Sequence, residues 1–297
     1  MAITKFVPTL WEAAVQLPYD EGLIYGQPAV ANRKYEGTIS QQGDTVKVTT
    51  IAAPTIRTYD KTADLVDEDV TDGEIILEVD QGDYFQFRIN DVDKVQAAGD
   101  FQGPATRQAG QGLARVVDTY LGTVLRDQVL AGNKFGDATV VDADPEKATS
   151  GQTSAYQVLV KLREKLDKKS VPTVGRFVVV NPEFISALLM DKRYTDLSSS
   201  GSTEGLLNGQ VGRASGFNVL VSGNAPKVGG AGANKDYPVI IAGTPDALTA
   251  VNQINTVEAM RDPKRFADKV RGLNIYGGKL FRPEGIATAN VNIVAPS

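Results

Sequence analysis

Thr45-Val46-Lys47-Val48-Thr49-Thr50-Ile51 alternates residue by residue and is rich in β-branched side chains, the pattern of a half-buried strand. Glu74-Ile75-Ile76-Leu77-Glu78-Val79 and Tyr84-Phe85-Gln86-Phe87-Arg88-Ile89 repeat it. Between the first two runs, Arg57 to Asp72 is polar, acidic and without periodicity. Residues 36–90 therefore predict a long hairpin with a large acidic tip. Extended from Thr45 to Thr58, the first strand would reach about 46 Å at roughly 3.3 Å per residue. A compact chain of this length has a radius of gyration of only about 19 Å. A two-stranded ribbon is marginal alone in water. The ribbon is therefore expected to join a larger sheet or to rest on another subunit.

Upstream, residues 1–35 carry Pro8, Pro18 and Pro28, each of which forbids a long helix through it. Phe6, Trp11, Leu17, Tyr19, Leu23, Ile24 and Tyr25 are scattered between them. This reads as an extended arm that buries its aromatics on something else, with Trp11 as an anchor; an irregular segment packed on its own domain is the plainer reading. Downstream, residues 91–97 suit a short helix, and Asp100 to Ala131 suits a long one. Asp100 can cap it and Pro104 sits in its first turn. Leu113, Val117, Tyr120, Val124 and Gln128 keep helical spacing, Val116, Leu121 and Leu125 widen the stripe, and Gly132-Asn133 stops it.

A polar connector, Val140 to Gln152, leads into an α/β region. Ser154 caps a helix with Ala155, Leu159, Leu162 and Leu166 on one face; Arg176 to Val180 is a buried strand; Asn181-Pro182 opens a second helix to Met190. Leu197 to Ser202 and Val228 to Asn234 read as loops, and Phe217 to Val221 and Val239 to Ala242 as strands. From Val251 the chain alternates again. Val270 to Tyr276 and Gly285 to Ile293 read as strands with Gly277-Gly278 between them. This closing segment is expected to pack on the long helix, which makes residues 150–250 an insertion.

Composition narrows the chemistry. The 297 residues are 42% hydrophobic and 23% charged, ordinary globular usage. There is no Cys and no His. Disulfide frameworks, thiolate sites, His-ligated zinc and Ser-His or Cys-His catalysis are thereby excluded. Net charge is -5, but Tyr59 to Asp93 holds twelve acids against Lys61 and Arg88, so the remainder is mildly basic. No dense basic patch for sequence-specific nucleic-acid readout stands out. The first residues do not suit a secretory signal, and no run reaches the roughly 18 apolar residues of a membrane span.

The order of these parts resembles the major capsid proteins of tailed bacteriophages, of the Hong Kong 97 type. The resemblance covers nearly the whole length. It rests on the arm, the acidic hairpin, Ile89-Asn90-Asp91-Val92-Asp93 leading to the long helix, Val178-Val179-Val180-Asn181-Pro182-Glu183, Gly212-Arg213-Ala214-Ser215-Gly216-Phe217-Asn218-Val219, and Asp262-Pro263-Lys264-Arg265-Phe266-Ala267-Asp268.

The resemblance implies an α+β fold. Its parts would be an N-terminal arm (1–35), an extended loop (36–90), a peripheral domain with a spine helix (91–149 and 251–297) and an axial domain (150–250). It also implies hexamers and pentamers of this chain in an icosahedral shell around double-stranded DNA, held without sequence preference. A virion location after assembly in a host cytoplasm follows, with portal and scaffold partners, a decoration protein as a further partner, and no membrane. Some members join an extended-loop Lys to a neighbour's Asn; Lys61 lies near the tip, and no Asn matches the acceptor.

Charge suggests which residues meet between copies. The acidic tip (Asp67, Glu68, Asp69) is expected to find a basic run on a neighbour, Arg261, Lys264, Arg265, Lys269 and Arg271; the plainer reading of that run is a solvated face. No catalytic, cofactor or metal residue is expected. Gly229 to Lys235 is similar to a phosphate loop but lacks the Lys-Ser/Thr helix start, and Asp67 to Glu78 departs from a calcium loop at its Gly. Asp91/Asp93 and Asp142/Asp144 sit in polar surroundings, and Ser198 to Ser202 has no Lys placed to activate it. Two further readings stay open: an encapsulin-type nanocompartment shell, and a soluble α/β enzyme using carboxylates and Mg²⁺.

Overall fold

The computed structural model describes residues 23–35, 43–51, 55–59, 61, 67, 69, 72–90, 102–141, 152–191, 194, 212–228, 237–263 and 265–294. The expected helix at 91–97, Asp100, and the loops at 197–202 and 229–234 lie outside them.

The ribbon forms as its alternation predicts. Strand β2 (Thr45–Ile51) pairs antiparallel with β3 (Asp72–Glu78), in register from Thr45↔Glu78 to Ile51↔Asp72. After Val79-Asp80 the chain enters β4 (Gln81–Asn90), which leaves the ribbon and edges a four-stranded sheet. That sheet runs β1 (Ala31–Asn32), β11 (Leu248–Arg261), β12 (Ala267–Leu280), β4.

Helix α1 (Gln102–Gln128) lies against one face of this sheet. Its 27 residues span about 40 Å at 1.5 Å per residue. Leu113, Val117, Leu121, Val124 and Leu125 are buried as their spacing predicts, in one cluster with Tyr276 and Leu280 of β12. Val116, expected to widen the stripe, is instead 46% exposed, because it falls on the flank turned from the sheet.

Gly277-Gly278 is not the break expected between two strands, since β12 runs straight through it. A Cβ on Gly277 would stand 2.7 Å from the Glu78 carbonyl oxygen, and one on Gly278 would stand 2.6 Å from Leu121 Cδ2. The missing side chains let the ribbon root close on one face of the strand and α1 on the other. The chain turns later, in a 3₁₀ turn at Pro283–Gly285.

The second layer is a seven-stranded sheet. Its members are β5 (Lys134–Val141), β6 (Gln152–Thr153), β7 (Phe177–Val180), β8 (Arg213–Ala214), β9 (Phe217–Val221), β10 (Val239–Gly243) and β13 (Ile286–Val294), ordered β6-β5-β13-β10-β7-β9-β8. Every residue of β7 and β10 is buried, as a sheet covered on both faces requires. Helix α2 (Ala155–Lys168) covers one face with Leu159, Leu162 and Leu166; Phe177, Val179, Val239 and Ile241 point the other way, into the α1 cluster. Both predicted caps form. Ser154 Oγ accepts the Gln157 N–H at 3.2 Å in a capping box. Asn181 Oδ1 accepts the Phe184 N–H at 3.3 Å ahead of α3 (Pro182–Met190).

Two expectations change at this level. The connector placed at 140–152 is entered later and left at its final residue, since β5 continues to Val141 and β6 begins at Gln152. The seven-stranded sheet also draws on chain from both sides of the 150–250 stretch. Its β13 lies between β5 and β10 rather than with the closing hairpin β11–β12 on α1.

Candidate inter-subunit surface

The ribbon has a fixed root and an exposed tip. At the root, Val46, Leu77 and Val79 cluster with Val251 and Ile275 of the four-stranded sheet. Lys279 Nζ donates to the Ile76 carbonyl at 2.7 Å, and the Gly43 N–H to that of Val79 at 2.8 Å. Lys47 and Glu74 pair across the strands at 2.9 Å, both largely in water. Of the two expectations for the ribbon, a larger sheet or another subunit, the root follows the first in part: it packs on the four-stranded sheet of its own polypeptide. Toward the tip the picture reverses. Residues 55–59 are all exposed, with Ile56 at 97% and Tyr59 at 73%. Lys61, Asp67 and Asp69 are exposed as well.

The described end of the arm, residues 23–35, follows the plainer of its two readings, a segment packed on its own domain. Leu23, Tyr25, Val30 and Ala31 are buried in the α1 cluster, and Ala31 pairs parallel with Leu248. These side chains need no second copy to cover them. Trp11, Glu68 and Lys264 lie outside the described residues.

The expected basic run sits at the far end of the β11–β12 hairpin, on a different element from the acidic tip. Much of it is already paired within the chain. Arg261 bonds Asp268 at 3.0 Å, Arg271 Nε bonds Glu258 at 2.8 Å, and Lys269 reaches the buried Asp262 at 3.1 Å, which Arg88 also approaches at 3.9 Å. The hairpin register explains this, because Glu258↔Arg271 and Arg261↔Asp268 are directly opposed. Reading 251–276 as one hairpin would have found both pairs. Arg265 remains exposed at the turn, beside Phe266 at 86%.

One surface was not foreseen. The face of the four-stranded sheet that carries the ribbon root continues past it as open surface. Tyr84, Met260 and Leu273 are exposed there, and Tyr84, Gln86, Glu258, Arg271, Gly272 and Leu273 line a shallow depression of about 320 Å³. The signal was present in the strict alternation Tyr84/Gln86/Arg88, which marks one face of β4. Among the described residues no group of carboxylates is placed to hold a metal ion, and no helix is long and apolar enough to cross a membrane.

Comparison with known proteins places this geometry. A family model described as phage capsid protein matches residues 55–289. The solved structure from Mycobacterium phage Che8 is 29% identical, covers 90% of this chain and 91% of its own, and superposes with a TM-score of 0.68. The capsid of Cyanophage P-SCSP1u (14% identity, 92% of this chain, 89% of that one, TM-score 0.69) shares the fold. So does the mature capsid of bacteriophage PhiM1 (16%, 88%, 87%, TM-score 0.64). No protein of curated function matches the sequence.

Proposed function

Because this chain belongs to the phage capsid protein family, we propose that its ribbon tip is the element by which one copy grips the next. The protein is a major capsid protein with a Hong Kong 97-type α+β fold, a structural subunit of the virion and not an enzyme, and it associates with itself into a shell. On our reading the copies gather as hexamers and pentamers into an icosahedral container for double-stranded DNA, which meets the inner wall through phosphates without sequence preference. Assembly takes place in the host cytoplasm, around a portal and with a scaffold protein; a decoration protein is a further partner. The parts divide into arm (1–35), extended loop (36–90), peripheral domain (91–149 and 251–297) and axial domain (150–250), with β5 and β13 lent to the axial sheet.

The observation that carries the grip is the contrast along the ribbon, buried at Leu77 and Val79 and bare at Ile56 and Tyr59. Two large apolar side chains held in water on an anchored ribbon gain most by burial against another molecule. A neighbour's open sheet face supplies a counterpart for the apolar pair in Tyr84 and Leu273, and Arg265 at the hairpin turn, with Lys264 before it in sequence, is the counterpart for the acidic run Asp67-Glu68-Asp69. Negative-stain imaging of Ile56→Asp/Tyr59→Asp beside the parent tests it. The parent forms shells and the variant stays as folded, unassembled subunits; variant shells in normal yield would refute the grip. Nuclease-protected duplex inside the parent shells supports the DNA reading, and a protein cargo in its place would return the nanocompartment.

A further inference from the structure

Asp118 stands in the middle of α1, completely buried. Its two oxygens are divided between parts of the chain about a hundred residues away in opposite directions. Oδ1 accepts the backbone N–H groups of Ile24 at 2.8 Å and Tyr25 at 2.6 Å, at the root of the arm. Oδ2 accepts the Ser222 hydroxyl and the Asn224 side-chain amide, each at 3.4 Å, in the loop that follows β9. That loop is tied to the axial sheet, since the Ser222 N–H donates to the Val180 carbonyl at 2.9 Å.

No cation pairs with Asp118 among the described residues. Among the described residues the one titratable group facing it is the Tyr25 phenol, itself buried without a hydrogen-bond partner and held neutral by burial and by Asp118; from the loop, the neutral Ser222 and Asn224 reach it. Packing alone does not call for a carboxyl here. A buried polar group is retained where its bonds are made, and half of these bonds belong to each element.

We propose that Asp118 is a positioning residue for assembly, a single carboxyl that ties the root of the arm to the loop after β9, so that the settings of the two elements change together. The two oxygens share one charge. Taking the donors from Oδ2 raises the proton affinity of the group, and a carboxyl that holds its proton accepts less strongly at Oδ1. The reverse holds when the arm is pulled away, because coupling between two binding sites is reciprocal. The consequence for assembly rests on the expectation from the sequence that the aromatics upstream of Leu23, Trp11 among them, bury on a neighbouring copy; the coupling itself is a property of one subunit.

The test is amide exchange in the full-length soluble subunit. Ser222→Ala/Asn224→Ala touches no arm residue. It is expected to quicken exchange at the Ile24 and Tyr25 amides roughly tenfold while the α1 amides from Leu113 to Leu125 keep their rates. Asp118→Asn, of the same shape, quickens both the arm amides and the Asn224 amide, and serves if the double variant does not fold. Unchanged arm amides in the double variant, or a rise shared equally by α1, would overturn the coupling. Imaging the parent's shells in parallel separates the two ideas: shells with uncoupled amides leave the capsid reading standing without the latch, and coupled amides without shells do the opposite.

Discussion

Asp118 also makes a statement about acidity. Burial raises its carboxyl above the ordinary aspartate range, and the four hydrogen-bond donors reduce that rise without cancelling it. The folded state therefore holds the Asp118 proton more tightly than the unfolded chain does. The stability this gives is fully present below the ordinary aspartate value of about 4 and is lost as pH rises through the folded value. Denaturant titrations across that range should show the parent losing stability relative to Asp118→Asn as pH rises; the opposite slope would mean a carboxyl held low by its donors. At Gly278 the expectation is steric. Gly278→Ala drives a methyl group against Leu121 and should cost about 1–3 kcal/mol by the same titration. Neither residue's role was legible beforehand. Gly277-Gly278 looked like a turn because local sequence cannot show two elements closing on a strand from opposite sides, and nothing in the sequence around Asp118 sets it apart from other polar positions on a helix.

At the scale of the element, legibility followed locality. The ribbon strands, α1, α2 and both caps were readable because alternation, helical spacing and the capping box are short-range signals. The partners of β4 and β13 were not, because each pairs with a strand far away in the chain. The ribbon's anchorage yields its own prediction. Leu77 is completely buried between β3 and the four-stranded sheet. Leu77→Ala should remove about 2–5 kcal/mol, read as a lowered unfolding midpoint. Limited proteolysis should then cut the ribbon before the axial domain; simultaneous cleavage of both would show that the ribbon is no separate unit. The helix caps offer a smaller check. Ser154→Ala should cost about 1 kcal/mol, measured by thermal unfolding, through the loss of the bond to the Gln157 N–H.

For the whole molecule the governing fact is uneven charge. An acidic segment of net -10 between Tyr59 and Asp93 belongs to a chain whose remainder is basic. If copies meet acid to base, assembly followed by light scattering should slow as salt is raised toward about 1 M, where the screening length is about 3 Å. Assembly indifferent to salt would assign the contact to Ile56 and Tyr59 alone. Charge counting overestimated what the basic hairpin offers, because Arg261, Lys269 and Arg271 answer to carboxylates of their own chain. That correction required the strand register and not the composition.

The position of β13 bears on how the protein is made. The strand enters the seven-stranded sheet between β5 and β10, both of which leave the ribosome earlier. Until translation has passed residue 294, those two strands lack the one that joins them, and the growing polypeptide cannot close its axial layer. A product that stops short of β13 therefore holds its axial layer in two unjoined parts, β6-β5 and β10-β7-β9-β8.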